Sequence, residues 1–566
     1  DTKHTCEKAK EDVEKHLNQI QANRVVIYPY AHLSNRLAEP KKAIQLLNYF
    51  ASLFKDREVT LAPFGWYKQF ELSCKGHALA ELSKEIIAEG KEEEIEQEIE
   101  EEEGELKEIK VILPSGEEKA EAEIEDEAIK HAIKCELKQI KEESFGRSPH
   151  LDLMKKLEIA SYESVSDAGN LRYYPNGFLM MRLLAELGRK FAQDLGAFEL
   201  KTPYLINPTH PAVAIMMKKF PERLYRVFPA KRTKQQEFRL RPACDYGIWS
   251  ILHDLQLSYK HLPLALFELD LFWRYEQRGE LLGLHRLRCG LMADLHEACK
   301  DLDEAFERFK EHVKRFALRL YEFIQIKPVL LVLNCKADFY EQHKQVFINW
   351  ARELGIPILV KFFSKLKTYK VAWIDVLAFD NLKRPMEVST VQLDTESAKW
   401  WDIKFVNEEG KLEYPIILHT GFGLERTIAA LLEAAFAAEK QGKIASLPFW
   451  LCPIQVRIIP VSSKYKQEAL SLAHELGKVC RVDLDDRDLH VEKRVFEAET
   501  QWIPYIVCFG KKELETGKLA VRAREHGKLI QIEKSEFIKL IKEKLTGKPF
   551  IPSLMPLLVS KKPKFS

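Results

Sequence analysis

The chain runs to 566 residues, 46% of them hydrophobic, which is too long for a single core and predicts three or four domains. No stretch offers the ~18 uncharged apolar residues of a membrane span, and the opening "DTKHTCEKAKEDVEKH" lacks the apolar core of a signal peptide, so a cytoplasmic location with no membrane partner is expected. The net charge of +1 hides an uneven distribution: residues 91–130 hold 18 acidic and 5 basic side chains, leaving 82 basic against 68 acidic elsewhere, a surplus compatible with a polyanionic partner.

In chain order, residues 1–90 read as a small α/β unit. A helix runs to Ile20, "RVVIYPY" is a strand, "KKAIQLLNYFASLF" a helix, "VTLAPFG" a strand, and a helix follows Gly76. Residues 91–165 form an acidic linker region, in which "EEEIEQEIEEEE" is a solvated helix face or connector and a strand pair flanks "LPSGEE". Over 166–445, helices flank the long strands "LALFELDLFWRYE", "WIDVLAFD", "EVSTVQLD" and "YPIILHT", whose hairpin connections predict a mainly antiparallel sheet. Residues 446–566 alternate strand, helix, strand, helix, strand and end in a tail, which predicts a compact α/β domain with parallel strand pairs. The ten cysteines form no C-x-x-C pair and suit reduced thiols.

Charge is concentrated at residues 272–299. Strand alternation puts Glu268, Asp270, Arg274 and Glu276 on one face and Ala265, Phe267, Leu269, Leu271 and Trp273 on the other. A turn near "QRGELLG" would return Arg286 and Arg288 on one face of the neighbouring strand, so that arginines converge across a hairpin. Guanidinium forks bind phosphate bidentately, and such a cluster suits a nucleotide; a surface ladder of ion pairs fits the same spacing. A second phosphate signal lies in "YPIILHTGFGLERTIAALLE", a strand, a glycine turn and Arg426 in the first turn of a helix.

These residues carry a resemblance. "FWRYEQRGELLGLHRLR" resembles motif 2 of class II aminoacyl-tRNA synthetases, "GFGLER" resembles motif 3, and "LKTPYLINPTHPAV" resembles motif 1. "SDAGNLRYYPNG", "STVQLD" and "GKPF…LVSKKPKF" are similar to archaeal-type threonyl-tRNA synthetases, and the similarity spans essentially the whole chain. It implies an α/β and α+β multidomain protein: a partial editing-like domain over 1–90, a catalytic domain over 166–445 built on the class II antiparallel sheet, and an anticodon-binding domain with its tail over 446–566.

The resemblance also implies an activity. L-threonine would attack the α-phosphate of ATP, bound with magnesium, and the threonyl group would pass from the adenylate to tRNA(Thr). Arg274 would hold the α-phosphate, Glu276 would face the adenine amino group, and Arg286 and Arg426 would grip the outer phosphates. The family binds threonine through zinc, whose matching ligands are Cys244, His296 and His419; spacings of 52 and 123 residues would not announce a metal site. Asp294 would take the amine of threonine, with Gln392 and Tyr369 also lining the pocket. The editing positions would be His32, Tyr67, Lys68 and Glu81, the anticodon-binding positions Glu515 and Arg524, and the assembly a homodimer.

Three departures accompany the resemblance. The chain begins inside the editing domain, with about the first third of the family pattern missing, so editing is expected to be impaired. The family has an aromatic residue, which stacks on adenine, where Gly290 stands, and threonine where Leu291 stands; weaker ATP binding is expected. The interval from His419 to Arg426 is two residues shorter than in relatives. A catalytically impaired, synthetase-like tRNA-binding protein is therefore the alternative.

Overall fold

Residues that alternate apolar and polar form the long central strands, and those strands pair mostly with their sequence neighbours. In the computed structural model, residues 2–20, 22–29, 40–65, 106–137, 148–217, 223–230, 237–364, 366 and 370–565 are described. The chain divides into two compact units, Asp1–Glu105 and Leu106–Ser566.

The smaller unit contains α1 (Thr2–Ile20), β1 (Arg24–Ile27), α2 (Pro40–Ser52) and β2 (Glu58–Leu61), in the expected order. The strands pair in parallel, and Leu17, Ile27 and Phe54 form the buried centre. Arg57 donates to the Ala22 carbonyl (2.9 Å) and to Glu14 (2.8 Å), tying α1 to the second strand.

In the larger unit ten strands make one sheet. Those that position the site are β3 (Leu106–Ile112), β4 (Glu118–Lys119), β5 (Phe198–Glu199), β6 (Leu264–Trp273), β7 (Cys289–Cys299), β8 (Leu330–Cys335), β9 (Ile358–Phe363), β10 (Lys370–Phe379), β11 (Pro385–Asp394) and β12 (Ile416–Gly423). Their order is β4-β3-β9-β8-β10-β11-β12-β7-β6-β5, and only β8–β9 and β5–β6 are parallel. Part of the region expected as an acidic linker over 91–165 joins the sheet, where the apolar end of β3 adds beside β9. Val111 and Ile112 are fully buried there, and β3 and β4 are the strand pair expected around "LPSGEE".

One face of the sheet packs on helices, among them α3 (Pro175–Asp194): Phe267, Leu295, Leu418 and Phe422 join Leu183, Leu184 and Phe191 in the main core. The opposite face carries Leu266 and Ile417 against α4 (Asp245–Asp254) and its buried Trp249. Helix α4 comes so close to the "LKTPYL" segment that a Cβ at Gly247 would stand 2.1 Å from Thr202 Oγ1.

Residues 456–545 form a five-stranded block: β13 (Val456–Pro460), β14 (Val482–Leu484), β15 (Tyr505–Phe509), β16 (Lys518–Ala523) and β17 (Lys528–Glu533). The order is β14-β13-β15-β16-β17, with the first three parallel as expected and an antiparallel hairpin added. Inside it Arg457 makes a two-bond fork with Asp483 (2.8 and 2.8 Å), and Lys562 of the tail reaches the same carboxylate (2.7 Å). Asp483 is fully buried, and burial opposes its charge, but Arg457 and Lys562 hold its pKa below the usual carboxylate range. Asp483→Ala strands the buried Arg457 and is expected to lower stability by about 3–5 kcal/mol, read by urea unfolding. Because the folded pKa is depressed, this stabilisation is present above the unfolded value of about 4 and is lost as the pH falls through the folded value. An unchanged urea midpoint in Asp483→Ala would refute this account.

Among the described residues no helix is long and apolar enough to cross a membrane, and the cysteines are free thiols.

Candidate active site

The strand register assembles the site. His296 of β7 pairs with Leu266 of β6 and with His419 of β12, and His419 pairs with Gln392 of β11. Directly opposed residues share a face, so His296, His419 and Gln392 lie in one row across three strands. The next row holds Glu268, Asp294, Gly421 and Thr390.

At the centre, ligand atoms of Asp245, His296 and His419 all lie within 4.8 Å of one another. His296 is 1% exposed, and neither of its ring nitrogens has a hydrogen-bond partner among the described residues. Its Nε2 stands 3.3 Å from Asp245 Oδ1. The His419 Nε2 is held by Asp394 Oδ2 at 2.9 Å, and its Nδ1 lies 3.9 Å from Asp245 Oδ2. A carboxylate behind one imidazole nitrogen, with the other turned to a shared centre, is how metal-ligating histidines are oriented. The buried, unbonded imidazole and the mixed nitrogen and oxygen donors fit a zinc ion. Burial opposes the charge on His296, but Asp294 and Asp245 raise its pKa to about 9.

Cys244, expected as the third ligand, is not in this cluster. It is the fully buried N-cap residue of α4, and the first turn of that helix brings forward the adjacent Asp245 instead. The thiol lies in the field of Asp294 and Arg241, and burial raises its pKa well above the usual value. Asp294 is 6% exposed and stands 4.0 Å from His296; burial raises its carboxyl although His296 works against this. Gln392 is half-buried, with Nε2 3.5 Å from Thr390 Oγ1. Tyr369, His32, Tyr67, Lys68 and Glu81 lie outside the described residues.

The arginines are arranged differently from the expected hairpin. Residues 274–288 form a loop beyond the β6–β7 ladder, continued by the Arg274 N–H bond to the Arg288 carbonyl (2.9 Å). Arg274 is half-buried, donating from Nε to the Pro242 carbonyl (3.0 Å). Arg286 bonds Glu276 (3.1 Å) and Glu280 (2.9 Å), and Arg223 pairs with the same two carboxylates. Arg288 does not join them: 3% exposed, it bonds the Glu276 carbonyl (2.8 Å) and Asp167 (2.6 Å) of "SDAGN". Arg426 donates to the Glu387 carbonyl (2.8 Å). Of the two arrangements read from spacing, ion pairs are what these contacts form: Glu276 and Glu280 hold Arg286 and Arg223.

Sequence reasoning missed several supporting groups. Glu268 is fully buried, accepting from the Thr202 N–H (2.7 Å) and from Arg241 (2.9 Å). Glu425 accepts from the Leu291 N–H (3.0 Å) and Tyr173 (3.0 Å), bracing the two motif segments. Asp394 had a legible signal: it lies two residues beyond Gln392 on the same strand face, diagonal to His419.

In the C-terminal block, Glu515 is exposed. Arg524 is half-buried and donates to the carbonyls of Ala445 (2.7 Å) and Glu499 (2.7 Å), so its fork ties chain segments together. A separate cavity of about 1420 Å³, lined by Arg172, Arg182 and Trp502 among others, includes none of Asp245, His296 and His419.

Residues 225–435 match the tRNA synthetase class II core domain (G, H, P, S and T), and residues 455–544 match an anticodon binding domain. The RNA binding domain of threonyl-tRNA synthetase from Cryptosporidium parvum Iowa II shares the fold, with a TM-score of 0.61 at 21% identity over 71% of this chain and 99% of that one. Prolyl-tRNA synthetase from Cryptosporidium parvum superposes with a TM-score of 0.56 at 17% identity, over 70% of this chain and 77% of that one. Fold and site define a class II aminoacyl-tRNA synthetase, a class that uses ATP with magnesium.

Residues 1–86 match the Archaea-specific editing domain of threonyl-tRNA synthetase. The chain is 38% identical to threonine--tRNA ligase of Methanosarcina barkeri, over 99% of this chain and 91% of that protein. It is equally similar to the Pyrococcus horikoshii enzyme, over 99% and 90%. The chain belongs to the threonyl-tRNA synthetase family.

Proposed function

We propose that this synthetase activates L-threonine at the row of His296, His419 and Gln392, with ATP lying toward Arg274 and Arg426. The observation that carries the reading is the cluster of Asp245 with the buried His296 and His419, two residues along the same strand from Asp294. Zinc would be held by His296, His419 and a third donor from the start of α4, where Cys244 and Asp245 adjoin. When bound, it supplies a Lewis-acidic position that recognises the amine and hydroxyl of threonine together.

Valine, nearly the same shape as threonine, lacks the hydroxyl, and a site that demands a polar group rejects such an analogue by roughly 10⁴- to 10⁵-fold. Asp294 accepts a hydrogen bond from the amine, while Gln392 and Tyr369 bound the pocket. The threonine carboxylate attacks the α-phosphate; the bond from that phosphorus to the bridging oxygen breaks, and pyrophosphate leaves. Arg274 stabilises charge on the α-phosphate, and Arg286 and Arg426 orient the outer phosphates. Glu276 faces the adenine amino group once Arg286 turns to the nucleotide. The threonyl group then moves to the end of tRNA(Thr).

Serine keeps both polar groups and lacks only a methyl, a difference worth about 1–3 kcal/mol, so a second sieve is useful. His32, Tyr67, Lys68 and Glu81 are proposed for that sieve. Glu515 is proposed to meet anticodon bases, with Arg524 supporting that surface. A homodimer is supported by the exposed Phe198 and Leu205 at the motif 1 edge, and a cytoplasmic site by the free thiols.

Threonine-dependent exchange of pyrophosphate into ATP tests the activity. Exchange with threonine, and far less with valine, is the expected result. Absence of exchange in zinc-replete protein that still binds tRNA would replace this reading with that of an impaired, synthetase-like binding protein.

A further inference from the structure

Gly290 leaves its strand without a side chain at the point where motif 2 rejoins the sheet. Its ladder partner is Phe272. A Cβ placed on Gly290 would lie 2.9 Å from both Cε1 and Cζ of Phe272, so the phenyl ring already stands where a residue 290 side chain would project. Phe272 is also out of character for its face. By alternation it sits between Asp270 and Arg274, on the polar side of β6, and it belongs to none of the apolar cores of the larger unit. It is half-buried, and the Arg274 guanidinium lies 4.9 Å from the ring centroid. A flat apolar surface beside a phosphate-binding arginine matches a nucleotide, whose base offers a π-face and whose phosphates are anionic.

We propose that Phe272 is the platform on which the adenine of ATP stacks, the ring being supplied from one strand of the ladder instead of the other. Gly290 is then the residue that makes room for it, since any side chain there would collide with the ring. The inference rests on the ATP-activating function proposed above and adds a substrate contact to it. It also removes the expectation of weak ATP binding drawn from Gly290 alone.

The test is pyrophosphate exchange by the full chain with ATP and threonine varied separately. Phe272→Ala is expected to raise KM for ATP about tenfold, the order of a lost base–aromatic stack, with KM for threonine within about twofold of the parent. Phe272→Tyr should stay near the parent. The double variant Phe272→Ala, Gly290→Phe, which returns the ring to the other strand, should recover most of the loss. An unchanged KM for ATP in Phe272→Ala overturns the proposal, as does a parallel rise in both KM values with a lowered melting temperature, which marks a packing role. Parent protein without exchange activity would instead remove the ATP reading itself, and this inference with it.

Discussion

Protein carrying His296→Ala is expected to lose the zinc proposed for this cluster, and its threonine-dependent exchange, while keeping its fold. The imidazole forfeits only its 3.3 Å ion pair with Asp245, with no well-formed hydrogen bond among the described residues, so the substitution mainly removes a donor to the shared centre. Asp245 and His419 alone leave too few protein ligands for a stable site. Elemental analysis of the purified variant reads the metal independently of activity, and unchanged zinc content would sink the assignment. Asp394→Asn should act more gently, weakening zinc by about 10- to 100-fold, because it removes the carboxylate that orients His419. Cys244→Ser beside Asp245→Asn decides whether the expected thiolate or the carboxylate brought forward by α4 completes the set: the larger loss of zinc identifies the ligand.

The second large effect is expected for Arg274→Ala. Its guanidinium is held by the Pro242 carbonyl and the Phe272 ring, so it is preorganised before ATP arrives. Charge that develops on the α-phosphate would lose a fixed donor, and such losses cost about 10²- to 10³-fold in kcat. KM for threonine should hardly move, since Asp294 and the histidines are untouched. Arg274→Lys keeps the charge but loses the planar fork and should fall between the two. Exchange within about threefold of the parent in Arg274→Ala would show that another group carries this charge, against the magnitude expected for a fixed donor.

Much of the architecture was legible because strand alternation and helix periodicity are local. "LALFELDLFWRYE" and "YPIILHT" declare strands through their own side chains, and the βαβ alternation after residue 446 predicted three parallel strands. The joining of β3 to β9 was not legible, since a short apolar run next to an acidic tract says nothing about which distant edge it will meet. Site residues divide the same way. His296 and His419 stood out through family motifs, yet only the register of β7 against β12 sets them side by side.

The amino-acid sequence by itself determined that this is a multidomain class II synthetase of the threonine family, because motifs and periodicity are written in neighbouring residues. The tertiary structure decided which of the motif residues meet. At the start of α4 the carboxylate of Asp245 lies within 4.8 Å of the histidine ring nitrogens, a proximity between distant parts of the chain that spacing could not announce. Arg288 bonds the side chain of Asp167 in a distant loop, and Phe272 covers Gly290 because pairing across the β6–β7 ladder places residues far apart in the chain in direct contact.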